Sequence, residues 1–162
     1  MMRELTALWN SLGDAEYLHL LLEPLPLFGL GFGLLLLIAA FLMRDGKMRL
    51  IALIVMIASS ASVQPYQAMR AKSEPRILAL QDPAFHAITL DQSARRKSAA
   101  WLYYAIAAWG TITLVTSRKG SGLIVTIITF TLCASGFITA VWLHKKECEV
   151  FHRNIVKYVP VR

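Results

Sequence analysis

The sequence predicts an all-α integral membrane protein, a four-helix bundle of two helical hairpins with an N-terminal interfacial helix. Three observations predict it. Of the 162 residues 56% are apolar, and the mean hydropathy of +0.52 is too high for an ordinary soluble domain. Four stretches free of Asp, Glu, Lys and Arg run from Leu25 to Met43, Leu50 to Met69, Ser98 to Ser117 and Gly120 to Leu143, with 19 to 24 residues each. An α-helix needs about 20 to cross roughly 30 Å of hydrocarbon. None of the four carries the charged stripe that a soluble bundle turns to water. The chain therefore reads as one four-span membrane domain over residues 1–162, with charge confined to its ends and loops.

Before the first span, Leu5, Leu8, Trp9 and Leu12 share one helical face and Arg3, Glu4, Asn10 and Ser11 the other, the pattern of a helix lying in the membrane interface. Polar residues and the acids Asp14 and Glu16 follow the basic start where a cleavable signal peptide would have its apolar core, so no such peptide is expected. The first span begins near Pro24 or Pro26, because proline fits an opening helical turn, and His19 and Glu23 then lie at the interface. Arg44 to Arg49 closes the first hairpin, with Asp45-Gly46 as its turn.

The second span carries the small residues Ala58 to Ser62, suited to close helix packing, within the bundle or against a partner. Pro65 is expected to bend its far end. Arg70 to Lys97 reads as the one long loop, in which Asp82-Pro83 supplies the N-cap and first residue of a third helix starting upstream of its apolar run. Trp101, Tyr103 and Tyr104 mark an interfacial belt. Ser117 to Gly122 makes the second short turn, the fourth span ends at Trp142 to His144, and Lys145 to Arg162 forms a polar tail in which Glu147 and Glu149 read as solvated.

Four spans place both termini on one side. That side holds 12 Lys and Arg against 5 in the short turns, yet the short turns contain one acid, Asp45, and the higher basic density. Counting positive charge therefore leaves orientation open. The net charge of +7 flanks apolar spans, so the expected partner is the lipid bilayer, with other membrane or redox subunits, and not nucleic acid. Arg95, Arg96 and Lys97 are candidate lipid-binding residues for acidic headgroups, the alternative being a snorkelling basic collar without a specific ligand.

All four histidines, His19, His86, His144 and His152, map to the terminal side. Neutral imidazole ligates haem iron and other metals, and His19, His144 and His152 flank the ends of the first and fourth spans, where Glu147, Cys148 or Glu149 could add ligands. No histidine or charge lies inside a span or on the short-turn side apart from the turns' own bases and Asp45. That argues against a transmembrane electron wire and against an ion pump. The pattern supports one haem or metal ion near one surface, or else interfacial histidines without a ligand in a structural or assembly subunit. No G-x-S-x-G motif occurs and no catalytic residue is expected.

Gly29, Gly31 and Gly33 sit in hydrocarbon with no preceding strand, so they read as helix-packing positions and not as a phosphate loop. Gln64, Tyr66 and Gln67 either hydrogen-bond a quinone carbonyl or satisfy backbone groups freed near Pro65. Cys133, ten residues before the end of its span, reads as a packing residue. Cys148 is the exposed thiol, and no disulfide joins the two.

The run L-H-L-L-L-E-P-L-P-L-F-G-L-G-F-G-L-L around His19, together with R-I-L-A-L-Q-D (Arg76 to Asp82), L-D-Q-S-A-R-R-K (Leu90 to Lys97) and E-V-F-H-R-N-I (Glu149 to Ile155), resembles a group of small bacterial four-helix membrane proteins of unassigned function. Related domains are fused to Rieske or c-type cytochrome modules. The resemblance implies the bacterial inner membrane, an association with respiratory electron transfer, and a periplasmic position for the face bearing the motifs. His19 and His152 match the pattern and are the cofactor-binding positions it implies. Ser93 and Arg95 stand where the pattern has histidines, Glu147 and Cys148 where it has a Gly-Gly pair, and Asn154 where it has an acid.

Overall fold

The computed structural model describes residues 2–116 and 123–151. Seven α-helices follow one another: α1 (Met2–Ser11), α2 (Ala15–Leu22), α3 (Pro24–Met43), α4 (Gly46–Ala61), α5 (Val63–Leu80), α6 (His86–Thr116) and α7 (Leu123–Phe151), with a 3-10 turn at Pro83–Phe85 before α6. No strand occurs among the described residues. Four helical stretches are long and apolar enough to cross a membrane: Ala15–Met43, Gly46–Leu80, Pro83–Thr116 and Ile124–Cys148. The protein is thus an all-α, multi-pass membrane bundle.

Helix α3 packs on α4 and α7, and α6 packs on the same two, closing a four-membered ring. Its axis is filled by Leu30, Leu53, Met56, Ile106 and Cys133, each almost wholly buried. The outer faces invert the soluble pattern: Phe28, Phe32, Leu35, Phe41, Val115 and Ile138 are all more than half exposed, which lipid tolerates and water does not. Small residues set the spacing, as expected. A Cβ on Gly29 would collide with the side chain of Ser59 on α4, so these helices approach at a distance only glycine permits. Ser59 and Ser60 are buried inside the bundle, which directs that part of the stripe to α3 and not to a partner. Cys133 has no exposed surface, and its Sγ donates weakly to the Leu30 carbonyl at 3.6 Å.

The connections depart from the sequence expectations in instructive ways. The first turn reverses at Arg44, which adopts the left-handed conformation (φ 53°), while Asp45 caps α4 by accepting from the Lys47 N–H at 2.8 Å. Capping takes Asp45 out of the turn role, and Gly46 becomes the first residue of α4. The bend expected at Pro65 falls within the second span at Ser62, three residues earlier, and Pro65 occupies the first turn of α5 where its missing N–H is not needed. Ser117 to Gly122 lies outside the described residues.

Two larger corrections concern residues 70–97 and 145–151. The expected long loop is helical except for Gln81 to Phe85, because its Ala, Leu, Lys, Arg and Glu residues favour helix and its polar side chains find partners across the bundle. Asp82 does cap the restart, accepting from the Ala84 N–H at 2.9 Å. Likewise the first part of the polar tail continues α7 to Phe151. At 1.5 Å per residue the 31 residues of α6 extend about 46 Å, well beyond the hydrocarbon thickness. A polar storey therefore stands on the apolar bundle at the terminal end. Helix α2 packs on α5 to wall it, and Asp14 caps α2 through the Glu16 N–H at 2.8 Å. Trp9 on α1 is exposed, consistent with an interfacial face, while the side chains of Leu5 and Leu8 lie outside the described residues.

Candidate functional site

Four helices send charged side chains into the junction between apolar bundle and polar storey. On α5, Val63, Tyr66, Arg70 and Ser73 form one buried stripe. The core face of the second span simply continues in polar residues. On α6 the same happens with Thr89, Gln92 and Ser93, and on α7 Ala140 and Leu143 lead to Glu147, which is 8% exposed. Glu147 is the clearest correction to the sequence reading, since it is buried and not solvated.

Arg70 Nη1 meets Glu147 Oε1 at 2.9 Å and donates to the Tyr66 hydroxyl at 2.7 Å, while its Nε donates to Ser93 Oγ at 3.1 Å. Arg96 pairs with Glu147 Oε2 and, at 2.8 Å, with Glu23 Oε1. Its guanidinium also lies 5.1 Å from the centre of the Tyr66 ring, a cation–π distance. Two cations and two anions therefore balance in a half-dry layer that ties α5, α6 and α7 to the start of α3. Gln67 Nε2 adds a bond to the Arg96 carbonyl at 3.1 Å. Three buried atoms of the layer have no hydrogen-bond partner, Arg96 Nε, Gln92 Oε1 and Glu147 Oε2, the last being ion-paired with Arg96.

The residues singled out from sequence divide. Arg96 turns inward to the acids, whereas Arg95 pairs on the surface with Asp91 at 2.7 Å and Lys97 is exposed. His19 is buried, tilted against the Tyr66 ring with centroids 6.3 Å apart. Its Nδ1 lies 3.4 Å from Ser73 Oγ, and that hydroxyl donates to the Arg70 carbonyl at 3.1 Å. With the hydroxyl proton on the Arg70 carbonyl, the Ser73 oxygen accepts from Nδ1–H and the neutral imidazole keeps a lone pair on Nε2; with that proton on Nδ1 instead, the imidazole carries its own on Nε2. Such a second-side hydrogen bond is what orients metal-ligating histidines.

His144 shares a cavity of about 310 Å³ with His19, lined also by Arg70, Glu74, Glu147 and Cys148, and the Cys148 sulfur lies 3.7 Å from His144 Nε2. His86 does not join them; its Nε2 donates to the Gln81 carbonyl at 3.0 Å and ties down the helix break. His152 lies outside the described residues, as does the side chain of Glu149. Among the described residues no three His, Cys, Asp or Glu side chains gather as metal ligands. A donor set with one oriented imidazole in a cavity fits a haem iron, whose macrocycle supplies four nitrogens, better than zinc, which takes three or four protein ligands.

A second cavity, about 220 Å³, is lined by Arg96 and shares Glu23 and His144 with the first. Tyr66 and Gln67 line it. Gln64 does not, since it accepts from the Tyr104 hydroxyl at 2.7 Å on the bundle's exterior. Sequence reasoning missed Arg70, Glu147 and Glu23 as a site. The signal was present, because Val63, Tyr66, Arg70 and Ser73 keep helical spacing beyond the apolar run. No protein-family model, no curated protein and no solved structure matches the chain.

Proposed function

We propose that the protein is a subunit associated with membrane electron transfer that holds one haem near its terminal-side surface, which His19 would ligate. The observation that carries this reading is the Arg70 carbonyl, Ser73 hydroxyl and His19 Nδ1 chain of contacts on a buried ring that lines a cavity, whose Nδ1–H tautomer leaves Nε2 free to ligate. The matching sequence position His152 is the second ligand in this reading, and His144 and Cys148 are its alternatives in the same cavity. The haem supplies one-electron chemistry; the chain orients the imidazole, balances charge around it and limits water. The sequence resemblance favours the bacterial inner membrane and a periplasmic face for the termini. Ser93 and Glu147, two positions where the chain departs from the resembled pattern, both contact Arg70, so these two fall in the layer beside the cavity.

Haemin titration of detergent-purified protein tests the reading. One equivalent per chain with a shifted Soret band is expected, lost or at least tenfold weaker in His19→Ala; unspecific uptake, equal in the variant, overturns it. In the competing reading, a structural or assembly subunit without cofactor, the ion layer serves to lock the helices, and the specific observation in its favour is that all four charges are already paired.

A further inference from the structure

The cavity of about 220 Å³ differs from the His19 cavity in what it leaves unsatisfied. Tyr103 is 3% exposed and lines it, and its phenol forms no hydrogen bond among the described residues. Arg96 Nε is a buried donor without a partner on the same wall. Tyr66 accepts from Arg70, so its own hydroxyl proton is also uncommitted. Three donors thus border one space without a hydrogen-bond partner of their own, alongside the side chains of Glu23, Gln67 and His144, and a buried unmet donor costs about 1–3 kcal/mol. An occupant with an accepting oxygen removes that cost.

Charge narrows the occupant. Arg70 and Arg96 are already balanced by Glu147 and Glu23, and Glu23 itself lines the cavity, so a phosphate would face a carboxylate. A neutral carbonyl would not. Apart from Gln67 and His144 the rest of the lining is apolar, and the exposed Phe28 stands at the rim, on the lipid side of α3. Tyr103 lies seven residues beyond Arg96 on α6, about 10 Å deeper, so the polar end and the apolar wall follow the bilayer's own gradient. The volume is below the roughly 300–1,000 Å³ of a drug-sized pocket, enough for a ring with its tail left in lipid. We infer that this cavity binds the carbonyl-bearing ring of a membrane quinone, entering sideways past Phe28, with Tyr103 as the principal donor. The inference is independent of the haem reading.

Delipidated protein in detergent is titrated with a short-tailed benzoquinone and a short-tailed naphthoquinone, following tryptophan quenching. Saturable binding of one of them at one per chain is expected. Tyr103→Phe, which breaks no hydrogen bond within the protein, should weaken it about 3- to 10-fold, the effect of one lost hydrogen bond, while His19→Ala retains it. Absence of saturable binding overturns the inference, as does equal affinity in Tyr103→Phe. Displacement of the quinone by an equivalent of phosphatidylethanolamine would assign the cavity to a lipid ester carbonyl and also overturn it.

Discussion

Glu147 serves two guanidiniums with one carboxylate, 11% exposed at the side chain, so its removal strands both. Glu147→Gln is expected to destabilise the protein by about 3–5 kcal/mol, the range for breaking a buried pair from one side. Arg95→Ala removes an ion pair whose partners are 37% and 53% exposed and should change stability by under about 1 kcal/mol. Thermal unfolding in one detergent, followed by helicity, measures both. At this scale the site was half legible. That His19 and Glu23 stand just before the apolar run of the first span was readable from spacing. The burial of Glu147 was not, because charge four residues past an apolar run suggests water, and only its register with Ala140 and Leu143 shows otherwise. Asp14 gives a pH signature: the Glu16 amide holds its carboxyl below the usual 3.8. A lowered folded-state pKa means the capping contribution is present above about pH 4 and lost as pH falls through the lower value. Hydrogen exchange in α2, corrected for intrinsic rate, should be faster at pH 3 than at pH 6, and Asp14→Asn should remove the difference.

Helix pairs were legible where lipid dictates composition and obscure where polar residues pair with one another. The α3–α4 contact was foreseeable from Gly29 and the small residues around Ser59. Gly29→Leu must displace the Ser59 side chain and is expected to cost at least about 1–3 kcal/mol. Gly46→Ala meets nothing within 4 Å of the new Cβ and should be neutral or stabilise by up to about 1 kcal/mol. Comparing midpoints of thermal unfolding for the two variants decides whether close approach, and not glycine content, sets the packing. The segment from Arg70 to Lys97 was misread as a loop because its charges look solvated in isolation; Arg70 and Arg96 reach their partners only when α7 lies alongside.

For the whole molecule, four spans put Cys148 on the same side as the termini and the Arg44 turn on the other. An impermeant thiol reagent should therefore label Cys148 from one side of sealed vesicles, and a cysteine placed at Lys47 only from the opposite side. Cys133, with no exposed surface, should stay unlabelled until unfolding. Labelling of both engineered and native sites from the same side would contradict the four-span fold. Composition made this architecture readable, since the solvent is lipid and the apolar lengths match it; orientation was not readable, because the two sides differ in basic count and basic density in opposite senses.

The most direct test of the central claim is the dithionite-reduced minus oxidised spectrum of the protein purified from a haem-replete host, beside His19→Ala. The account predicts a Soret band and reduced α and β bands at one haem per chain, lost in the variant while its helicity persists. A featureless spectrum, or a haem signal unchanged by His19→Ala, would contradict it.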